Sequence, residues 1–440
     1  MRSSYWFIPS LMFLGAIILS ILMVRLDIYV LRNNFITDES WFPKFEAEAA
    51  RSILSTIASG MVTVAGVVFS LTIVSLQLAS SQFGPRLLRT FMNSLGNQIV
   101  LGTFTATFLY CLILIGTVRD RIDFVPQLSV VTGILLGVID VAVLIFFIHH
   151  VATSIRIESL IATVTTDLRT VIDRIFPVEI GEEPPDRGVA NDARLQFDKD
   201  SAAIRARSSG YVRHVDGEML LAIARHHDLV LHVDRKPGDF VVEGATLFRV
   251  VPSERVTEEV TGRILDSTVL GRDRTPSQDM DFALRQLVEV ALRALSPGIN
   301  DPFTAVECVN RLGEALCIVV RRPEPSAYRV DDNGVLRVIA EPLGRPEMIR
   351  TAFDPIARAG GSNGDVAARI LEIIITIATY AKSRPARIEL IEYANALEAQ
   401  MNEQLALPRD RNAVATRFAA ALRELQNEGR GGKGVAEQET

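Results

Sequence analysis

The chain has 440 residues, 48% of them hydrophobic, and a mean hydropathy of +0.25, which is high for an ordinary soluble protein. Its net charge is −6 with Lys and Arg dispersed along the sequence, so a nucleic-acid-binding surface is not expected. Cys111, Cys308 and Cys317 form no C-x-x-C pair; a disulfide framework is not expected, and unpaired thiols suit a reducing compartment.

The apolar residues are concentrated in the first part of the chain. Four runs reach the ~20 apolar residues needed to cross ~30 Å of hydrocarbon. They are Trp6–Val24, Ile53–Leu78, Ile99–Val118 and Val125–Val151. The first follows Arg2 and is longer than a signal-peptide core, with no small-x-small cleavage site after it, so it reads as a retained anchor. The second continues toward Gln82 until Gly84-Pro85, where proline ends a helix. Four spans place both termini on one side. With the termini inside, Arg2, Arg86, Arg89, Arg156 and Arg169 flank the inner ends and Arg25, Arg32, Lys44, Arg51, Arg119 and Arg121 the outer loops, so the positive-inside rule does not orient the chain. The unpaired cysteines and a large domain without an export signal favour a cytoplasmic body.

The second span carries an unusual number of hydroxyls. At 100° per residue, Ser55, Ser59, Thr63, Gly66, Ser70, Gln77 and Ser81 fall within an arc of about 80°, with Ile57, Val64, Val68 and Leu71 opposite. Two readings compete. Small and hydroxyl residues permit close helix packing. Alternatively, stripes from several subunits line a water-filled path, which requires a ring of copies. Asp140 is the acid well inside a span, where a carboxylate faces protein or water. The hydroxyls and Gln77 of the second span are its expected partners. His149 and His150 fall at the membrane edge.

After the last span, Ile157, Leu160, Ile161, Val164, Leu168, Val171, Ile172 and Ile175 share one helical face, predicting a stalk helix; an interfacial helix is the alternative. GEEPPDRG then reads as a linker. The runs RSSGYVRHV and LVLHVDRKPGDFVVEGATLFRVV are strand-like, with a short helix at Gly217–His226 between them. Their glycine-turn pattern resembles the barrel-sandwich module of biotinyl and lipoyl carriers. Lys236 precedes the wrong turn for a carrier lysine, so the module is expected to be structural.

The remainder is mostly helical. Thr275-Pro276-Ser277-Gln278 reads as a capping box opening a helix to about Leu295. SPGINDP turns the chain, and Asp301-Pro302 opens a helix to about Val319. A hairpin is expected on Asn333-Gly334. Helices are then expected at Pro346–Ala359, Asp365–Ser383, Pro385–Leu405 and Arg409–Gln426. Asp279, Asp281, Arg285, Arg293, Asn300 and Asp301 cluster around the capped helix and the turn, as a ligand site or as helix pairs and caps. His226, His227 and His232, with Asp228 and Asp234, lack a metal spacing. GRGGKG lacks the Ser or Thr of a phosphate loop. No motif indicates a catalytic residue, metal or cofactor.

The fold class expected is therefore an α-helical transmembrane domain of four spans followed by a mixed α+β soluble body. The expected order is transmembrane domain 1–151, stalk 152–180, β module 181–252, mainly helical domain with one hairpin 253–427, and disordered tail 428–440. FSLTIVSLQLASSQFGPR (Phe69–Arg86) and ALRALSPGINDPFTA (Ala291–Ala305) resemble two blocks of a bacterial predicted-membrane-protein family classed as a domain of unknown function. The resemblance implies a bacterial inner-membrane protein with this layout, surrounded by membrane lipids, and brings no activity. The layout is also similar to that of small-conductance mechanosensitive channels, by analogy alone. The expected function is a homo-oligomeric channel-like or transport protein; the alternative is a non-conducting scaffold or sensor recruiting a cytoplasmic protein partner.

Overall fold

The computed structural model describes residues 7–32, 45–83, 95–118, 125–154, 157–176, 197 and 200–436. Gly84-Pro85, the GEEPPDRG linker and the side chain of Ser81 lie outside the described residues. The chain divides into two units, Met1–Leu160 and Ile161–Thr440.

In the first unit, four helices are long and apolar enough to cross a membrane. They are α1 (Phe7–Arg32), α2 (Ala47–Phe83), α3 (Leu95–Ile115) and α4 (Gln127–Ser154). Both α1 and α2 pack along α3, and α4 packs against α2 and α3. The bundle core joins Ala16 of α1, Leu54 and Ala58 of α2, Tyr110, Cys111 and Leu114 of α3 and Val130 of α4. A second cluster, Val68, Val100, Phe104 and Phe147, continues it along the helices. Gly102 marks the closest approach of α1 and α3, since a Cβ there would lie 2.6 Å from the Met12 sulfur.

α1 continues past the expected end at Val24, through Arg25 and Asp27, to Arg32. Asp27 remains in the helix because its carboxylate finds donors on another helix. It accepts from Leu128 N at 2.8 Å, Ser129 N at 3.0 Å and Ser129 Oγ at 2.5 Å, satisfying the first turn of α4. Around it, Gln127 exchanges two hydrogen bonds with the Phe45 backbone at 2.7 and 2.9 Å, and Arg51 donates to Val118 O at 2.7 Å. One end of the bundle is thus tied by side chains that satisfy other segments' backbone groups.

The second unit contains α5 (Ile157–Ile175) from Ile161 onward. The apolar face of α5 is buried at Ile161, Val164, Leu168, Val171 and Ile172. Its C-terminal end is gripped by Arg322, which donates to Phe176 O at 2.6 Å and to Asp173 at 2.5 Å.

Among the described residues, eight strands form two sheets. β1 (Ala202–Arg205), β3 (Val230–Val233), β5 (Thr246–Val251), β7 (Tyr328–Val330) and β8 (Leu336–Ile339) lie in the order β1-β5-β3-β8-β7. β2 (Gly210–Val215), β4 (Phe240–Val241) and β6 (Thr268–Gly271) lie in the order β4-β2-β6. No closed barrel forms among the described residues. The sheets share one core with α6 (Gly217–His227) and α7 (Glu258–Asp266), including Val212, Ile223, Leu231, Phe248 and Ile264. Asp216 caps α6 by accepting from Met219 N, and Asp228 ends it in the left-handed region. Both β6 and the Asn333-Gly334 hairpin lie beyond residue 252 yet complete sheets begun before it. β8 joins β3 in parallel, and buried Arg337 bonds Asp331 at 2.8 Å and Asp228 at 2.7 Å, which locks the hairpin in place.

Among the described residues, six further helices follow: α8 (Met280–Ala294), α9 (Pro302–Arg321), α10 (Arg345–Gly360), α11 (Gly364–Tyr380), α12 (Arg384–Gln404) and α13 (Pro408–Ala436). The core of this layer includes Leu287, Leu312, Phe353, Ile374 and Met401. The expected capping box at Thr275 does not form, and α8 starts four residues later, at Met280 rather than Pro276. Asp279 is its N-cap, accepting from Phe282 N at 2.9 Å. Gln278 instead pairs twice with the Val215 backbone, at 2.9 and 3.2 Å, so its amide satisfies the end of the central strand β2. α13 extends through Ala436, into the segment that composition assigns to a tail.

Candidate functional site

The stripe on α2 can be placed residue by residue. Ser55, Ser59, Thr63, Gly66, Ser70 and Gln77 are all exposed in the protomer. The face that α2 buries is a different one, carrying Ala50, Leu54, Ala58 and Val68, roughly 150° round the helix from the stripe centre. A Cβ added at Gly66 would meet nothing within 4 Å. Thr63 satisfies its hydroxyl locally, donating to Ser59 O at 3.0 Å. Within the protomer, the stripe is not the seam that holds the bundle together.

Asp140 is fully buried, and it does not meet the stripe. Its side chain faces Thr107 and Cys111, one turn apart on α3. Neither carboxyl oxygen of Asp140 makes a well-formed hydrogen bond, and Thr107 Oγ1, beside it, has no other partner. The expected pairing with Gln77 is absent, because Gln77 points away from the bundle. A buried acid with two unsatisfied oxygens is costly in a packed interior and is a frequent mark of a functional position.

In the body, the predicted cluster separates into two groups at opposite ends of α8. Asp279 and Asp281 meet at its N-terminus on Arg274, which sequence reasoning missed. Arg274 reaches Asp279 through two bonds of 2.7 Å and Asp281 at 3.0 Å. Arg285 donates to Asp281 at 2.7 Å, and Thr351 Oγ1 donates to it at 3.0 Å. Burial raises the Asp281 pKa, but the hydrogen bonds from Arg285, Arg274 and Thr351 outweigh it and hold the carboxyl below its ordinary range. A carboxylate held this way is a poor proton carrier at neutral pH. Arg293, Asn300 and Asp301 lie at the far end of α8. Asn300 adopts the left-handed conformation (φ 50°), and Asp301 caps α9 through Thr304 N at 3.1 Å and Thr304 Oγ1 at 2.6 Å.

Asp279, Asp281 and Arg285 line a cavity of about 810 Å³, together with Arg174, Lys236 and Arg329. Arg293, Asn300 and Asp301 do not line it. Elsewhere in the body, burial pushes the Cys308 thiol up to about 12 and the Cys317 thiol up to about 11, so neither is a thiolate at neutral pH. Arg274 left no signal in the sequence, since a lone arginine before a cap is indistinguishable from a solvated one.

Four apolar helices followed by a mixed helix-and-sheet body define a membrane protein with a large second unit. The chain belongs to the family described as "Predicted membrane protein (DUF2254)", which matches residues 2–376. It is similar to the uncharacterized proteins Mb1321c of Mycobacterium bovis and Rv1290c of Mycobacterium tuberculosis. Each is 34% identical over 302 residues, covering 65% of this chain and 56% of the relative. The chain thus spans little more than half the length of these curated relatives. No solved structure matches it.

Proposed function

We propose that this is a homo-oligomeric, channel-like inner-membrane protein in which α2 from several copies lines the conducting path and the cytoplasmic body assembles or gates the ring. The observation that carries the reading is the exposure of Ser55, Ser59, Thr63, Gly66, Ser70 and Gln77 on the side of α2 turned away from its own bundle. Hydroxyls and an amide facing lipid would gain nothing, whereas facing copies of themselves they could line water. Asp140 would act behind that path, tuning ions or protons from inside the bundle.

The test is native mass in mild detergent followed by bilayer recording. The reading expects four or more subunits and flux that is lost in Ser70→Leu and Gln77→Leu without loss of assembly. A monomer or dimer, or unchanged flux in both variants, would sink it. A fluorescent protein fused after Thr440 should glow, as expected for a body in the cytoplasm.

A second reading, a scaffold that recruits a partner through its body, is favoured by the SPGINDPF block. Phe303 is 83% exposed and Ile299 is 46% exposed, a pair of large apolar side chains at one turn. Under this reading Phe303→Ser leaves the native mass unchanged while abolishing function; under the channel reading it reduces the mass.

A further inference from the structure

A second, smaller cavity of about 210 Å³ lies in the body where four helix ends meet, on residues that no motif marked. α9 ends there at Val320 and Arg322, and α11 ends at Ala381. α10 begins there at Arg345 and Pro346, and α12 begins at Ser383. Its floor is apolar, with Val320, Ile349, Ala381 and Leu390 all buried. Its rim is charged.

The charges do not cancel. Arg322, Arg345, Arg350 and Lys382 line it with Glu324 and Glu389, and a third carboxylate, Asp354, is engaged by the hydroxyl of lining Tyr393 at 2.6 Å. Arg322 is neutralised by Asp173, but Arg345, Arg350 and Lys382 have no carboxylate partner among the described residues. The negative helix ends are already satisfied by other arginines. Ala378 O and Ala381 O accept from Arg387 at 3.2 and 3.4 Å, and Arg322 O accepts from Arg345 at 2.6 Å. Of the two positive helix ends, that of α12 is capped by Ser383, which accepts from Ala386 N at 3.3 Å, whereas Gly344, the N-cap of α10, offers no side-chain acceptor to the first turn. Arg345 Nε is buried without a partner, while the bond to Arg322 O holds the guanidinium in place. A cation ordered in advance binds an anion at a smaller entropic cost.

We infer that this cavity binds a small amphiphilic anion, a phosphate ester whose apolar part rests on Val320, Ile349 and Leu390 and whose phosphate meets Arg345, Arg350 and Lys382. The volume fits the size, since 210 Å³ is ample for a phosphate on a short apolar body. The inference is independent of the channel reading. It places a ligand next to Arg322, the residue that holds the end of α5.

The test is calorimetric titration of the full-length protein in neutral detergent, with phenyl phosphate as the soluble probe and phosphatidic acid in mixed micelles as the lipid probe. One or both should bind saturably, and more weakly as salt is added. Lys382→Gln and Arg350→Gln, both at exposed positions that leave the core intact, should each weaken binding at least fivefold, and Glu389→Gln should tighten it. Stronger binding of phosphatidic acid would identify a lipid headgroup as the source, and stronger binding of phenyl phosphate a soluble ester. Lys236→Gln, in the wall of the larger cavity, should change nothing. Failure of both probes to bind, equal binding in the Lys382 and Arg350 variants, or an equal loss in Lys236→Gln would overturn the assignment.

Discussion

Two buried acids in the bundle show how the same side chain differs in consequence with its partners. Asp27 accepts three hydrogen bonds at the start of α4, so it acts as an N-cap supplied by another helix. Removing such a cap costs about 1–2 kcal/mol. Asp140 accepts none, and deleting an unsatisfied buried group returns about 1–3 kcal/mol. Asp27→Ala should therefore lower the thermal midpoint of the detergent-solubilised protein, and Asp140→Ala should raise it; a drop in both would mean that Asp140 has a partner after all. Asp281 differs again, because its pKa is lowered from the ordinary 3.8. A carboxyl with a depressed folded-state pKa contributes stability that is fully present above the unfolded value and is lost as pH falls through the folded one. The loss of stability as pH falls below the ordinary carboxylate range should be smaller in Asp281→Asn. An unchanged loss would show that the Arg274 and Arg285 contacts do not persist in solution.

At the scale of elements, close packing sets the tolerances. Gly313 of α9 lies so close to α11 that an added Cβ would sit 2.4 Å from Ile373 Cγ2. Ile373 is buried and cannot swing clear, so Gly313→Ala should cost about 1–3 kcal/mol through overpacking, read by chemical denaturation. No loss would mean that the two helices can shift apart freely. Elements like these were legible where the signal is local. The four spans follow from run length, α9 from Asp301-Pro302, and the hairpin from Asn333-Gly334. What was missed depends on distant partners. The start of α8 is decided by Arg274 and by the strand end at Val215, neither of which a capping-box pattern contains. The end of α1 moves past Asp27 because of Leu128 and Ser129, about a hundred residues away. The hydroxyl stripe was legible as a pattern, but its direction was not, since periodicity relates residues to one another and not to a neighbouring helix.

At the scale of the whole molecule, the direction of that stripe has consequences for assembly. A span can be amphipathic in a lipid-facing sense only if something other than lipid covers its polar face, because hydrocarbon offers no hydrogen bonds. The described bundle of one copy does not cover it; in the proposed ring, other copies do. If identical stripes face a common axis, then equivalent residues on different copies lie near one another, while residues on the buried face of α2 are separated by the bundle. Single cysteines test this directly in a background with Cys111, Cys308 and Cys317 replaced by serine. Ser59→Cys and Ser70→Cys should form inter-copy crosslinks under mild oxidation in native membranes. Ala58→Cys, one residue away but buried in the bundle, should not. Exclusive crosslinking through Ala58, or none at any of the three positions, would place the stripe away from other copies and remove the basis for a conducting path.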